Sequence, residues 1–115
     1  MTLATNASPV FEPTISLRFC AEGRIRHVVN WLLVAEDLAD DRGLHGCLAY
    51  GVGAPVTVTV TRGSESDTAL KHVVDGVADF LGCDDRDSRV TWVYAQSKEK
   101  RGVHAVKIKI EGTAT

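Results

Sequence analysis

The chain has 115 residues, 44% of them hydrophobic and 24% charged, with a formal net charge of −2. That is the profile of one globular domain with one core. No apolar run is long enough to span a bilayer, and the opening MTLATNASPVFEP lacks the basic-then-apolar order of a secretory signal, so neither a membrane span nor a leader is supported.

Cys20, Cys47 and Cys83 are odd in number and widely spaced, with no C-x-x-C, which fits small buried thiols in a reducing, cytoplasmic setting. Charge is unevenly spread. Residues 1–85 hold six Lys and Arg against twelve Asp and Glu, whereas residues 86–115 hold seven against three. An acidic whole argues against nucleic-acid binding, and a basic end argues for a local patch.

In chain order, the first ten or so residues are mostly small and polar, Pro9 and Pro13 accompany them, and residues 1–13 read as a flexible arm preceding one domain over 14–111. Thr14 to Phe19 alternates, with Ile15, Leu17 and Phe19 on one side, and predicts a first strand. From about Arg24 to Asp41, Ile25, Val28, Val29, Leu32, Leu38 and Ala39 recur at helical spacing, and Arg42-Gly43 supplies a stop. The stretch GLHGCLAYGVGAP reads either as a loop or as a short strand over Cys47–Tyr50. VTVTVT at 56–61 is the clearest strand, with its valines toward a core. A second helix runs from about Thr68 to Leu81 on a stripe of Leu70, Val73, Val74, Val77, Phe80 and Leu81, and Gly82 caps it. Arg89 to Gln96 and Val103 to Ile110 read as two strands joined as a hairpin through the basic SKEKRG.

The order β-α-β-α-β-β predicts a small single-domain α/β (α+β) fold, a mixed sheet with two helices packed on one face. A real strand at Cys47–Tyr50 would instead spell the ferredoxin-like order with one strand added.

The chemistry concentrates in RGSESDTALKHVVDGVADFLGCDDRDSRV, residues 62–90. Asp67, Lys71, Asp75 and Asp79 are each four apart and form one line on the second helix, the pattern of a solvated face with an ion pair. Asp67 or Ser64 is also placed to accept a backbone N–H at the helix start. His27, His45, His72 and His104 lack zinc-ligand spacing. Glu65 and Asp67 stand between a strand and this helix, and Asp84, Asp85 and Asp87 follow the helix. If the returning chain lies beside its start, these carboxylates and Lys71 meet, and an oxygen-rich cluster of that kind holds Mg²⁺ or Mn²⁺ for phosphodiester hydrolysis.

ESDTALKHVVD followed by GCDDRDSRV resembles the RusA-type Holliday junction endonucleases, whose pattern is D-x-D-N-x-x-K-x-x-x-D, a helix, then a Gly shortly before D-D-S-Q-V. The resemblance covers roughly residues 55–111. It implies a cytoplasmic, prokaryotic or phage-encoded, Mg²⁺-dependent (or Mn²⁺-dependent) homodimer that cleaves branched DNA. It also implies that Glu65, Asp67 and Asp87 ligate metal while Lys71 neutralises the scissile phosphate. Lys98, Lys100 and Arg101 form a candidate phosphate-contacting loop, although each taken singly is an ordinary solvated charge. Three positions depart from the pattern: Glu65 replaces Asp, Thr68 replaces Asn, and Arg86 replaces the first late Asp. Those departures motivate a second expectation, a catalytically degenerate dimeric DNA-binding or assembly module on the same scaffold. A third, tied to the optional strand at Cys47–Tyr50, is a ferredoxin-like oligomerisation or small-ligand domain.

Overall fold

Alternation of valine and threonine makes β2 (Val56–Arg62) the axis of the sheet, burying Val56, Val58 and Val60 while the threonines stay half-buried on the other side. The computed structural model describes residues 11–17, 20–62, 67–96 and 105–112. Around β2 stand β1 (Thr14–Ser16), β3 (Val90–Gln96) and β4 (Ala105–Gly112), in the order β1-β4-β2-β3. β3 runs parallel to β2, from Val56 opposite Val90 to Arg62 opposite Gln96. β4 is antiparallel to both β2 and β1.

The expected hairpin is therefore corrected, because β3 and β4 flank β2 and do not pair with each other. A strand that returns parallel through a helix takes one side of β2, and only the other side remains for β4.

The two helices pack on each other and on one face of this sheet, enclosing a single core in a β-α-β-α-β-β order. Within α1 (Ile25–Asp40), Ile25, Val29 and Leu33 face the core. Leu38, predicted on the buried stripe, is 76% exposed, and Ala39 is exposed as well. The buried stripe continues from Leu33 to Asp37, and at 100° per residue Leu38 points to the opposite side of the helix and Ala39 falls beside the stripe. α1 stops at Asp41 in the left-handed region (φ 56°), a conformation that short polar side chains tolerate. In α2 (Asp67–Leu81) the predicted stripe is the buried one, with Val73, Val77, Phe80 and Leu81 fully enclosed. Gly82 (φ 86°) ends it as predicted, and the amides of Gly82 and Cys83 both donate to Ala78 O.

Between α1 and β2 there is no strand at Cys47–Tyr50. A short 3₁₀ turn, Ala49–Gly51, stands there, which removes the ferredoxin-like option. The amides of this segment go to a helix end. Gly46 N donates to Phe80 O and Leu48 N to Leu81 O, satisfying carbonyls that α2 leaves unpaired. The buried Asp37 carboxylate holds the segment from the other side, accepting from Leu44 N (3.0 and 3.1 Å) and His45 N (2.9 Å).

The arm expected over residues 1–13 is also corrected at its end. Phe11 is buried, exchanges backbone hydrogen bonds with Ile110 and stacks on Phe80 at 6.1 Å, so the domain includes it.

Gly76 sets the approach of α2 to α1. A Cβ there would stand 2.6 Å from Arg26 O and 2.8 Å from Val29 Cβ. Gly76→Ala therefore destabilises the domain by about 1–3 kcal/mol in urea unfolding. Gly23→Ala, where a Cβ meets nothing within 4 Å, stays within about 0.5 kcal/mol of the parent.

Candidate functional site

Of the residues predicted to form one site, Asp67 and Asp87 belong to opposite ends of β2. Asp67 opens α2 at the end where β2 finishes with Arg62 and β3 with Gln96. Glu65, Lys98, Lys100 and Arg101 lie outside the described residues, as does the side chain of Asp67. The stretch carrying the three basic residues leaves Gln96 and re-enters at Ala105, both at this same end of the sheet.

Lys71, one turn into α2, is exposed. With Leu70, Val74, Asp85 and Tyr94 it lines a cleft of about 260 Å³ between α2 and β3. Burial, and secondarily the charge of Asp85, pushes the Tyr94 phenol up from its ordinary value. A second, polar depression of about 340 Å³ continues along α2, where Lys71 and Arg26 stand among Asp75, Asp79, Asp84 and Asp85. Arg26 grips Asp79 in a two-pronged contact (Nε–Oδ2 2.7 Å, Nη2–Oδ1 2.8 Å) that bridges the helices. The predicted line of i,i+4 charges thus serves as a paired, solvated helix face. Being largely exposed, the bridge contributes modestly to stability.

Asp87 stands apart from the start of α2. It sits three residues before β3, at the end where β2 begins. Because β3 is parallel to β2, α2 must carry the chain back along the sheet. Its 15 residues extend about 22 Å at 1.5 Å per residue. Asp87 and Asp67 therefore do not converge within one chain.

The Asp87 carboxylate is also engaged. Oδ1 accepts from Arg89 N (2.9 Å) and Arg89 Nε (3.0 Å), and Oδ2 accepts from Arg89 Nη2 (2.8 Å). These bonds hold its carboxyl down at about 2. Arg89 further donates to Leu48 O at 2.8 Å and to Val52 O, so the pair fastens the 48–52 segment to the start of β3. The residue missed in the sequence was Arg89. Its signal was the D-x-R spacing in a turn just before a strand, where an Arg side chain can fold back onto the carboxylate.

Asp84 accepts from Arg86 N at 2.9 Å, and this bond is the leading cause of its lowered carboxyl value. Cys47 and Cys83 are pushed up by burial, Cys83 to about 11, and all three cysteines are free. Among the described residues no group of three or more His, Cys, Asp or Glu side chains is placed to hold a metal ion. Asp87, with both oxygens given to Arg89, does not fit the role of a Mg²⁺ or Mn²⁺ ligand. No helix among the described residues is long and apolar enough to cross a membrane.

Neither the protein-family models nor the curated proteins contain a match to this chain.

The Asp87–Arg89 pair has a pH signature. The folded-state carboxyl value of about 2 lies below the ordinary 3.8, so the stabilisation is full above the ordinary value and fades as pH falls through about 2. Asp87→Asn lowers the urea midpoint at pH 7, and its deficit against the parent shrinks as both are titrated from about pH 4 down to about pH 2.

Proposed function

We propose that this protein is a non-catalytic DNA-binding module that engages phosphates through its basic end and the uncovered face of its sheet. What carries the reading is segregation of charge. The outer side of α2 and the turn after it hold Asp75, Asp79, Asp84 and Asp85. On the opposite layer, β4 turns Lys107, Lys109 and one acid, Glu111, to the face the helices leave open, beside Thr57, Thr59 and Thr61 of β2, with Lys109 3.7 Å from Glu111. Lys98, Lys100 and Arg101 belong to the stretch that leads into the same strand. Such a surface suits a polyanion, since each phosphate neutralised by Lys or Arg releases condensed counterions. Hydroxyl-bearing threonines are serviceable phosphate donors beside them. The engagement of Asp87 by Arg89 argues against a third metal ligand in this chain and favours binding without hydrolysis.

The test is fluorescence anisotropy with labelled four-way junction, duplex and single-stranded DNA across a salt series, with EDTA or with Mg²⁺ at matched ionic strength. The reading expects binding that weakens with salt and does not require Mg²⁺. Lys107→Glu with Lys109→Glu weakens it at least about tenfold, and removing Lys98, Lys100 and Arg101 lowers the salt slope by about 2–3. No binding at low salt, or binding that ignores these substitutions, contradicts it. The metal-dependent endonuclease reading is the alternative outcome of the same experiment. It requires Mg²⁺- or Mn²⁺-dependent cleavage of the junction that Asp67→Asn and Asp87→Asn each abolish.

A further inference from the structure

β3 is the outer strand on its side of the sheet, paired with β2 on one edge and with no strand among the described residues on the other. Its sequence, VTWVYAQ, contains no charge, no proline and no glycine. Strands left open to solvent are normally protected by Lys, Pro, a bulge or shortness, and β1 at the other edge is only three residues long. The seven residues of β3, five of them of high β-propensity, have none of these protections. Val93 and Tyr94, in the middle of the strand, are 41% and 54% exposed.

Beside this edge lies the 260 Å³ cleft whose apolar floor is Leu70 and Val74 and whose two lips carry opposite charges, Lys71 and Asp85. The lips are staggered along the strand. Asp85 lies against Trp92, whose indole Nε1 donates to Asp85 O at 3.1 Å. Lys71 lies further toward Gln96, because α2 starts at the end where β3 finishes.

We infer that the open edge of β3 pairs antiparallel with β3 of a second copy, about a two-fold axis at Val93. That register sets Val93 opposite its own symmetry mate and Tyr94 opposite the other copy's Trp92, covering the exposed mid-strand side chains. The same axis exchanges the two ends of the cleft. Each Lys71 then faces the other copy's Asp85, so a second copy in this orientation meets complementary charge at both ends of the cleft. A two-fold pairing uses both open edges at once and closes at the dimer. Lys71 and Asp85 lie off the proposed phosphate-binding face, whereas Val93, in register with Thr59, lies on it, so the Lys71/Asp85 exchange is the arm that separates this inference from the DNA reading.

Sedimentation velocity of the full chain over about 1–100 µM tests it. The wild type is expected to shift from monomer to dimer with concentration and to go no further. Val93→Lys sets two ammonium groups face to face and weakens the dimer at least about tenfold, with the far-UV circular dichroism unchanged. Trp31→Lys, on the exposed side of α1, leaves the dimer intact. Lys71→Glu weakens association, and adding Asp85→Lys restores it. A wild type that stays monomeric overturns the inference. So does a dimer that survives Val93→Lys or is lost with Trp31→Lys, or a failure of the double charge exchange to restore association.

Discussion

Parallel pairing of β2 with β3 is the constraint from which the rest of this structure follows. A chain that must re-enter the sheet in the same direction has to travel its full length first, and α2 makes that journey. The residues that lead into α2 then belong to one end of the domain and those just after it to the other. The close approach of α2 to α1 at Gly76 and the shared core beneath both helices fix this arrangement. Asp67 and Asp87 are thus kept apart by the same packing that stabilises the fold.

Each end has acquired its own work. At the end where β2 begins, polar groups are spent on structure. Asp37 holds Leu44 and His45, the segment after them caps the carbonyls of α2, and Arg89 joins Asp87 to Leu48 and Val52. A connection without regular structure is held in place there by backbone hydrogen bonds and two carboxylates. The open sheet face carries Lys107 and Lys109 beside Thr59 and Thr61, with Lys109 3.7 Å from Glu111. The lysines of that face motivate the proposed binding role in a chain of net charge −2.

Much of the fold was legible in the sequence because local rules and tertiary packing agree. The valine–threonine alternation of β2, the stripe of α2 and the cap at Gly82 each name one structure. The errors arose where a local pattern had two tertiary outcomes. A basic stretch between two strands reads as a hairpin unless it is known that β2 lies between them. Leu38 and Ala39 fall off the line of Ile25, Val29, Leu33 and Asp37 that α1 buries, a line that the choice of Val28 and Leu32 in the sequence obscured. Phe11 follows a polar stretch, and only its stacking on Phe80 reveals it as core. For the candidate site, the spacing of Glu65, Asp67, Lys71 and Asp87 was readable but its geometry was not. Linear spacing does not say whether a chain returns beside its starting point or at the far end of a sheet. The D-x-R turn at Asp87 carried the decisive information, because a carboxylate with both oxygens on an arginine is poorly suited to a metal.

The separation of Asp67 from Asp87 can be read directly by adding Mn²⁺ to ¹⁵N-labelled protein and following paramagnetic broadening of the amide resonances. The account predicts that no single ion broadens the amides of Asp67 and Asp87 together at substoichiometric Mn²⁺. Joint loss of both signals, reversed by Asp87→Asn, would place the two carboxylates on one metal and contradict it.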